Sequence, residues 1–167
     1  MYIDTHAHLY YDDLKNQLGD VVKRAEAAGV TQIICVGTDL PSSKTSISIA
    51  EKYNAVFATV GVHPHDAKDT PDDYLRQLKD LASHSKVVAM GEMGLDYFRD
   101  FSPRNVQKEV FLSQLALARE MDLPAVIHNR DADEDILKIL EEIQYERSVL
   151  HCFSSDTEMA GRAVSLG

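Results

Sequence analysis

Histidine and acidic side chains recur along this chain directly after apolar stretches of strand character. The residues concerned are His6, His8, Glu92, His128 and His151. Successive side chains of a strand point to opposite faces, so His6 and His8 project to one side and can share one cation. Glu92 offers two hard carboxylate oxygens with which to bridge neighbouring ions. This pattern predicts a divalent-metal hydrolase site.

The shared position of these residues strengthens the prediction. A single histidine at a strand end is more often a hydrogen-bonded surface or core group than a metal ligand. All of these residues, however, occupy the downstream ends of predicted strands. In a (β/α) barrel the active site gathers at the carboxyl ends of the strands, so such residues would meet at one mouth.

The elements that must position this site alternate between apolar strand-like runs and longer amphipathic segments. We predict strands near residues 2–8, 32–37, 55–62, 86–91, 124–128 and 148–152, which makes six βα repeats. The predicted helices cover 13–28, Pro41 to about Tyr53, a segment with Thr70 as N-cap and Pro71 at its first position, a long segment opened by Ser102-Pro103-Arg104 and running through Met121, and 131–143. Such alternation favours parallel strands in a doubly wound sheet or a barrel. No glycine-rich phosphate motif follows the first strand, so a TIM-type (β/α) barrel is the better match.

Composition restricts the classes of function. A length of 167 residues suits one domain over 1–167, and a net charge of −10 argues against a broad basic surface for coating duplex nucleic acid. The N-terminus does not show the basic segment and apolar stretch of a secretory signal peptide, and no apolar run reaches about 18 residues. These features predict a soluble cytoplasmic protein without membrane contact. Cys35 and Cys152 lack CxxC spacing, and we expect both to be buried, reduced thiols.

Five runs of residues together resemble one family. They are Asp4-Thr5-His6-Ala7-His8, Gly61-Val62-His63-Pro64-His65, Gly91-Glu92-Met93-Gly94-Leu95-Asp96-Tyr97, His128-Asn129-Arg130-Asp131-Ala132 and His151-Cys152-Phe153-Ser154. In this order they resemble the TatD-family metal-dependent deoxyribonucleases, which belong to the amidohydrolase-like TIM barrels. The resemblance extends over essentially the whole chain.

The resemblance implies a site with two divalent ions, Mg²⁺, Mn²⁺ or Zn²⁺. The first ion would be held by His6 and His8, the second by His128 and His151, and Glu92 would bridge them. His63 would line the same mouth. The implied reaction is exonucleolytic hydrolysis of DNA phosphodiesters by a metal-activated water, on single strands or frayed ends.

Further residues follow from spacing within these runs. Arg130 lies two residues after His128, so it can face the mouth and meet a phosphate oxygen. The alternative is a salt bridge to Asp131, Asp133 or another exposed acid. Asp96 and Tyr97 are candidate substrate contacts. With Glu92 and His63, whose places in the site the resemblance implies, Arg130 completes the predicted catalytic residues.

The chain also departs from the family pattern. A complete (β/α)₈ barrel takes about 250 residues, so this chain would supply about six of eight βα units and lack the C-terminal part. In the family a late-strand aspartate completes the first ion site, and no residue here matches it. Unpaired first and sixth strands would favour self-association. The alternatives are an amidohydrolase-type enzyme acting on a small molecule and a metal-binding product without turnover.

Overall fold

The computed structural model describes every residue from Met1 to Gly167. The strands are β1 (Tyr2–Ala7), β2 (Val30–Val36), β3 (Val56–Val60), β4 (Val87–Asp96), β5 (Ala125–Arg130) and β6 (Ser148–Leu150). The helices are α1 (Asp12–Lys15), α2 (Leu18–Ala27), α3 (Leu40–Lys52), α4 (Tyr74–Ala82), α5 (Arg104–Glu120), α6 (Asp133–Ile143) and α7 (Thr157–Ser165). A 3₁₀ helix, Pro64–Asp69, stands between β3 and α4.

All six strands pair in parallel, in the order β1-β2-β3-β4-β5-β6. Each strand is therefore the neighbour of the next one along the chain, which is the order of a (β/α) barrel rather than of a doubly wound sheet. The sheet forms half of a TIM-type barrel. The predicted fold class, with six βα units, is confirmed.

The central strands lie between the helices and the inside of the half-barrel. Nine of the ten residues of β4 are buried, and β3 contributes Val56, Ala58 and Val60 at 0% exposure. Helix α5 packs Phe111 and Leu115 onto this sheet as part of a single cluster of 31 buried hydrophobic residues. Such continuous burial is typical of parallel strands, and it gives the strand ends a rigid base.

Several predicted boundaries were wrong. The segment 13–28 is not one helix, since α1 ends at Lys15 and α2 begins at Leu18. Thr70 is not the N-cap of α4: it follows the 3₁₀ helix, and its hydroxyl donates to the carbonyl of Ala67 at 3.0 Å. Strand β4 continues to Asp96, beyond its predicted end, and α7 had not been predicted.

The outer strands have one neighbour each and are more exposed than the centre. The first four residues of β1, which include Tyr2 and Ile3, are exposed, and so is Val149 in β6. Such strands can pair with further chain, so self-association stays a prediction. No helix combines the length and the apolar character needed to cross a membrane.

Candidate metal centre

Six of the seven histidines surround one cavity of about 760 Å³ at the carboxyl ends of the strands. They are His6, His8, His63, His65, His128 and His151. Glu92 lines the same cavity. The seventh, His84, lies outside it and pairs with Glu51 on the surface. The structure thus brings together every predicted metal ligand, with His63 beside them.

Backbone hydrogen bonds between the carboxyl ends of the strands fix the spacing of this cavity. The N–H of Glu92 donates to the carbonyl of Gly37 at 2.8 Å, and the N–H of His63 donates to that of Thr38 at 2.8 Å. Between β5 and β6, the N–H of His151 donates to the carbonyl of Ile127 at 3.1 Å. The site residues are therefore positioned by main-chain pairing, which leaves little freedom for rearrangement.

Two buried glutamines on α5 continue this main-chain support. Gln114 accepts the N–H of Val62 at 2.7 Å and donates to its carbonyl at 3.0 Å, directly before His63. Gln107 accepts the N–H of Asp96 at 2.9 Å and donates to its carbonyl at 3.2 Å. These amides satisfy backbone groups where strand pairing ends. Sequence reasoning missed both; their spacing of seven on an apolar helix face was the available signal.

The carboxylate of Glu92 is the centre of the arrangement. Five imidazole nitrogens lie within 2.7–3.9 Å of its oxygens: those of His6 (3.3 Å), His8 (3.9 Å), His63 (3.5 Å), His128 (3.0 Å) and His151 (2.7 Å). Burial alone would raise the pKa of Glu92, but hydrogen bonds, led by that of His128, hold this pKa well below its usual range. The group stays a carboxylate and can use both oxygens as ligands.

His6, in β1, and His8, directly after β1, each present a ring nitrogen to this carboxylate. His8 directs Nδ1 at the carbonyl of Val36 (3.2 Å), so the proton lies on Nδ1 and the Nε2 lone pair faces Glu92. Burial, and then the neighbouring His6, lower the pKa of His8 and favour the neutral form. Both ring nitrogens of His6 are buried without a hydrogen-bond partner. Unsatisfied imidazole nitrogens beside a carboxylate fit a divalent cation.

His128 lies between two carboxylates. Its Nδ1 is 3.0 Å from Oε1 of Glu92, and its Nε2 is 3.0 Å from Oδ2 of Asp96. Burial alone would lower the pKa of His128, but the two acidic partners, Glu92 first, raise it above its usual value. Binding of an ion next to Glu92 would displace the Nδ1 proton, and with the Nε2 proton donated to Asp96 the Nδ1 lone pair would then face that ion.

Asp96 supports the site but does not line it. Its side chain is buried, and Oδ1 accepts the backbone N–H groups of Phe98 (3.1 Å) and Arg99 (2.8 Å). The expected substrate contact is therefore wrong for Asp96, because no substrate can reach it. The side chain of Tyr97 is not part of the cavity wall either, and its hydroxyl donates to Asp135 on α6 at 2.6 Å.

His63 and His65 complete the wall opposite β1. His63 Nδ1 accepts the backbone N–H of His65 at 3.2 Å, so a neutral His63 carries its proton on Nε2 and donates towards Glu92. Burial is the largest cause that lowers the pKa of His63 and keeps it neutral. His65 Nε2 contacts Asp96 Oδ2 at 2.8 Å. His65 had not been predicted, although it stands two residues after His63.

Two groups of ligand atoms meet the spacing that one ion requires. Within each group the atoms lie no more than 4.8 Å apart: His6, His8 and Glu92 form one, and His63, Glu92 and His128 form the other. The second group contains His63 where the sequence had suggested His151, but a protonated Nε2 on neutral His63 offers no lone pair to an ion. His151 is nevertheless the histidine nearest to Glu92, and its ring stacks on that of His6 at 4.0 Å. Glu92 belongs to both groups, as a bridging ligand must.

Two further residues differ from expectation. Arg130 is exposed at the end of β5 and is not part of the cavity wall; its guanidinium lies 3.9 Å from the ring centre of Phe98 and forms no salt bridge with Asp131 or Asp133. Cys152 is exposed at the cavity, so the prediction of two buried thiols was wrong. Cys35 is buried, and burial raises the pKa of its thiol.

Comparison with known proteins agrees with this geometry. The family model described as TatD related DNase matches residues 3–167. The chain belongs to this family. The expected resemblance is therefore confirmed.

Individual relatives are similar over most of this chain. An uncharacterized metal-dependent hydrolase of Bacillus subtilis, YabD, is 44% identical over 99% of the chain, which spans 66% of that protein. The protein named 3'-5' ssDNA/RNA exonuclease TatD from Cronobacter sakazakii is 38% identical over 89% of the chain and 57% of its own length. The crystal structure of YjjV, a TatD homologue from Escherichia coli, superposes with a TM-score of 0.93 at 33% identity, covering 99% of this chain and 65% of that one. This chain thus spans about two thirds or less of these relatives.

Proposed function

We propose that this TatD-family chain forms a centre for two divalent ions, Mg²⁺, Mn²⁺ or Zn²⁺. His6 and His8 would hold the first ion, His128 and His151 the second, and Glu92 would bridge them. Mixed imidazole and carboxylate donors suit these cations. The observation that carries the proposal is the single carboxylate of Glu92 within 2.7–3.9 Å of five imidazoles.

The proposed reaction is hydrolysis of a phosphodiester. When bound, the two ions would supply positive charge to the phosphate and lower the pKa of a water molecule. His63 would donate its Nε2 proton as a hydrogen bond within the cavity, because its Nδ1 is already occupied by the N–H of His65. Arg130, exposed and without a carboxylate partner, would bind a neighbouring phosphate through its planar fork.

We propose DNA as the substrate, attacked at single-stranded or frayed ends. The printed name of the Cronobacter relative, a 3'-5' ssDNA/RNA exonuclease, supports a nucleic-acid substrate for this chain as well. An open cavity at the strand ends suits an extended chain end better than a duplex, because a chain with net charge −10 lacks the basic surface that duplex binding needs.

The test is release of nucleotides from a short single-stranded DNA by the purified chain, with each of the three ions and with EDTA. We expect release that depends on the ion and is lost in His128→Ala, which also controls for contaminating nucleases. Hydrolysis of bis(p-nitrophenyl) phosphate, measured in parallel, reports phosphodiester chemistry without a nucleobase. Ion-dependent hydrolysis of the small ester alone would refute the nucleic-acid substrate, and no hydrolysis of either would refute the reaction.

A further inference from the structure

Exposed aromatic side chains concentrate at the mouth of the half-barrel. Five tyrosine or phenylalanine residues are exposed in the whole chain: Tyr2, Tyr11, Phe98, Phe101 and Phe153. All but Tyr2 follow the carboxyl end of a strand, where the cavity opens. Phe98 and Phe101 are each 55% exposed and belong to the same loop after β4. An exposed aromatic pair beside a candidate site indicates a binding surface.

The loop that carries these two rings is firmly anchored. Its first turn donates two backbone N–H groups, of Phe98 and Arg99, to the buried carboxylate of Asp96. At its other end, the hydroxyl of Ser102 donates to the carbonyl of His65 at 2.8 Å, and Gln107 donates to the Ser102 carbonyl at 2.7 Å. The exposure of the rings therefore follows from a fixed backbone that holds them outwards.

Two arginine side chains lie against the ring of Phe98. The guanidinium of Arg130 lies 3.9 Å from the ring centre of Phe98, and that of Arg99 lies 5.6 Å from it. Neither arginine forms a salt bridge, although the chain has 27 acidic residues. Held by a ring rather than by a carboxylate, both guanidiniums keep their donors free for an anion.

The ring of Phe101 connects this surface to the cavity. The rings of Phe101 and His65 are 4.8 Å apart, edge to face. His65 lines the cavity and shares Oδ2 of Asp96 with His128. The surface is thus continuous with the wall that carries the candidate ligands.

We propose that Phe98, Phe101, Arg99 and Arg130 form an aromatic shelf that stacks an unpaired nucleobase of a single-stranded substrate beside the scissile phosphodiester. The inference rests on the proposed function and deepens it. Exposed rings stack on bases of any sequence, and adjacent guanidiniums meet the flanking phosphates. Paired bases inside a duplex do not offer their faces, so the shelf selects single strands or frayed ends.

The test measures binding of the full chain to a fluorescein-labelled phosphorothioate decathymidylate, which resists hydrolysis, by anisotropy in Mg²⁺ and again in EDTA. An abasic strand of the same length and backbone is the reference ligand. We expect the wild type to prefer the strand with bases by about 10-fold or more, as stacking on an aromatic ring predicts. Phe98→Ala and Phe101→Ala should reduce that preference to about 2-fold.

Two variants make the result specific. Phe101→Leu keeps an apolar side chain on the loop without a ring, and we expect it to lose the preference as Phe101→Ala does. Tyr2→Ala removes a still more exposed ring, at the opposite end of the sheet, and should keep the wild-type preference. Equal binding of both strands by the wild type, or retention of the preference in the two phenylalanine variants, would overturn the shelf.

Other outcomes separate the shelf from the proposed function. Self-association that Phe98→Ala abolishes without any change in oligonucleotide binding would overturn the shelf in favour of a second copy of the chain. A base preference that depends on Phe98 and Phe101, in a chain that releases no nucleotides with any ion, would support the shelf and refute the nuclease. Nucleotide release by a chain that binds both strands equally would support the nuclease and overturn the shelf.

Discussion

Replacing Glu92 by glutamine tests the candidate centre most directly. The change keeps the size of the side chain, removes its negative charge, and turns one ligand oxygen into an NH₂ group. Glu92 belongs to both groups of ligand atoms, so each ion would lose a charged ligand. A hydrogen bond to a charged group contributes about 1.5–3 kcal/mol, and the loss of a carboxylate charge from an ion should cost at least as much. Two such losses amount to about 3–6 kcal/mol, or about 10²- to 10⁴-fold in the product of the two dissociation constants.

The assay is calorimetric titration of the metal-free chain with Mn²⁺, together with the rate of bis(p-nitrophenyl) phosphate hydrolysis at saturating ion. Glu51→Gln is the matched control, because it makes the same chemical change at a carboxylate 3.3 Å from the surface histidine His84. We expect Glu51→Gln to bind ions as the wild type does. If Glu92→Gln binds two ions with wild-type affinity and hydrolyses at the wild-type rate, the bridging assignment is wrong.

Three further predictions follow from the surroundings of the centre. Asp96→Asn should weaken ion binding by about 10- to 100-fold in the same titration, because Asp96 holds the ring of His128; unaltered affinity would show that this support is dispensable. Gln114→Leu leaves the N–H and C=O of Val62 unpaired and should lower the free energy of unfolding, measured by urea titration, by about 2–5 kcal/mol. A loss below about 1 kcal/mol would contradict the role of this amide. With a thiol reagent at pH 8, the native chain should react quickly at Cys152 alone, because burial raises the pKa of the Cys35 thiol and leaves little of the reactive thiolate. In urea both thiols should react quickly. Two fast-reacting thiols in the native chain would disprove this prediction.

The pattern of the sequence contains much of the fold. Alternating apolar strands and amphipathic helices predict six βα units, and these are the units of the half-barrel. The local period of a strand also places His6 and His8 on one side, because side-chain direction follows from backbone geometry alone. Helix boundaries such as that at Thr70 were less predictable, since a hydroxyl can cap a helix or bond to a nearby carbonyl with similar energy.

Only the tertiary structure decides which of these residues meet. The five imidazoles around Glu92 come from segments as far apart as His6 and His151, and their distances depend on strand register and on the curvature of the sheet. Tertiary packing likewise buries Asp96 and places Arg130 against Phe98 rather than a carboxylate. A sequence determines by local geometry the direction in which a side chain points, but its partner is set by long-range pairing of strands, which no local period records.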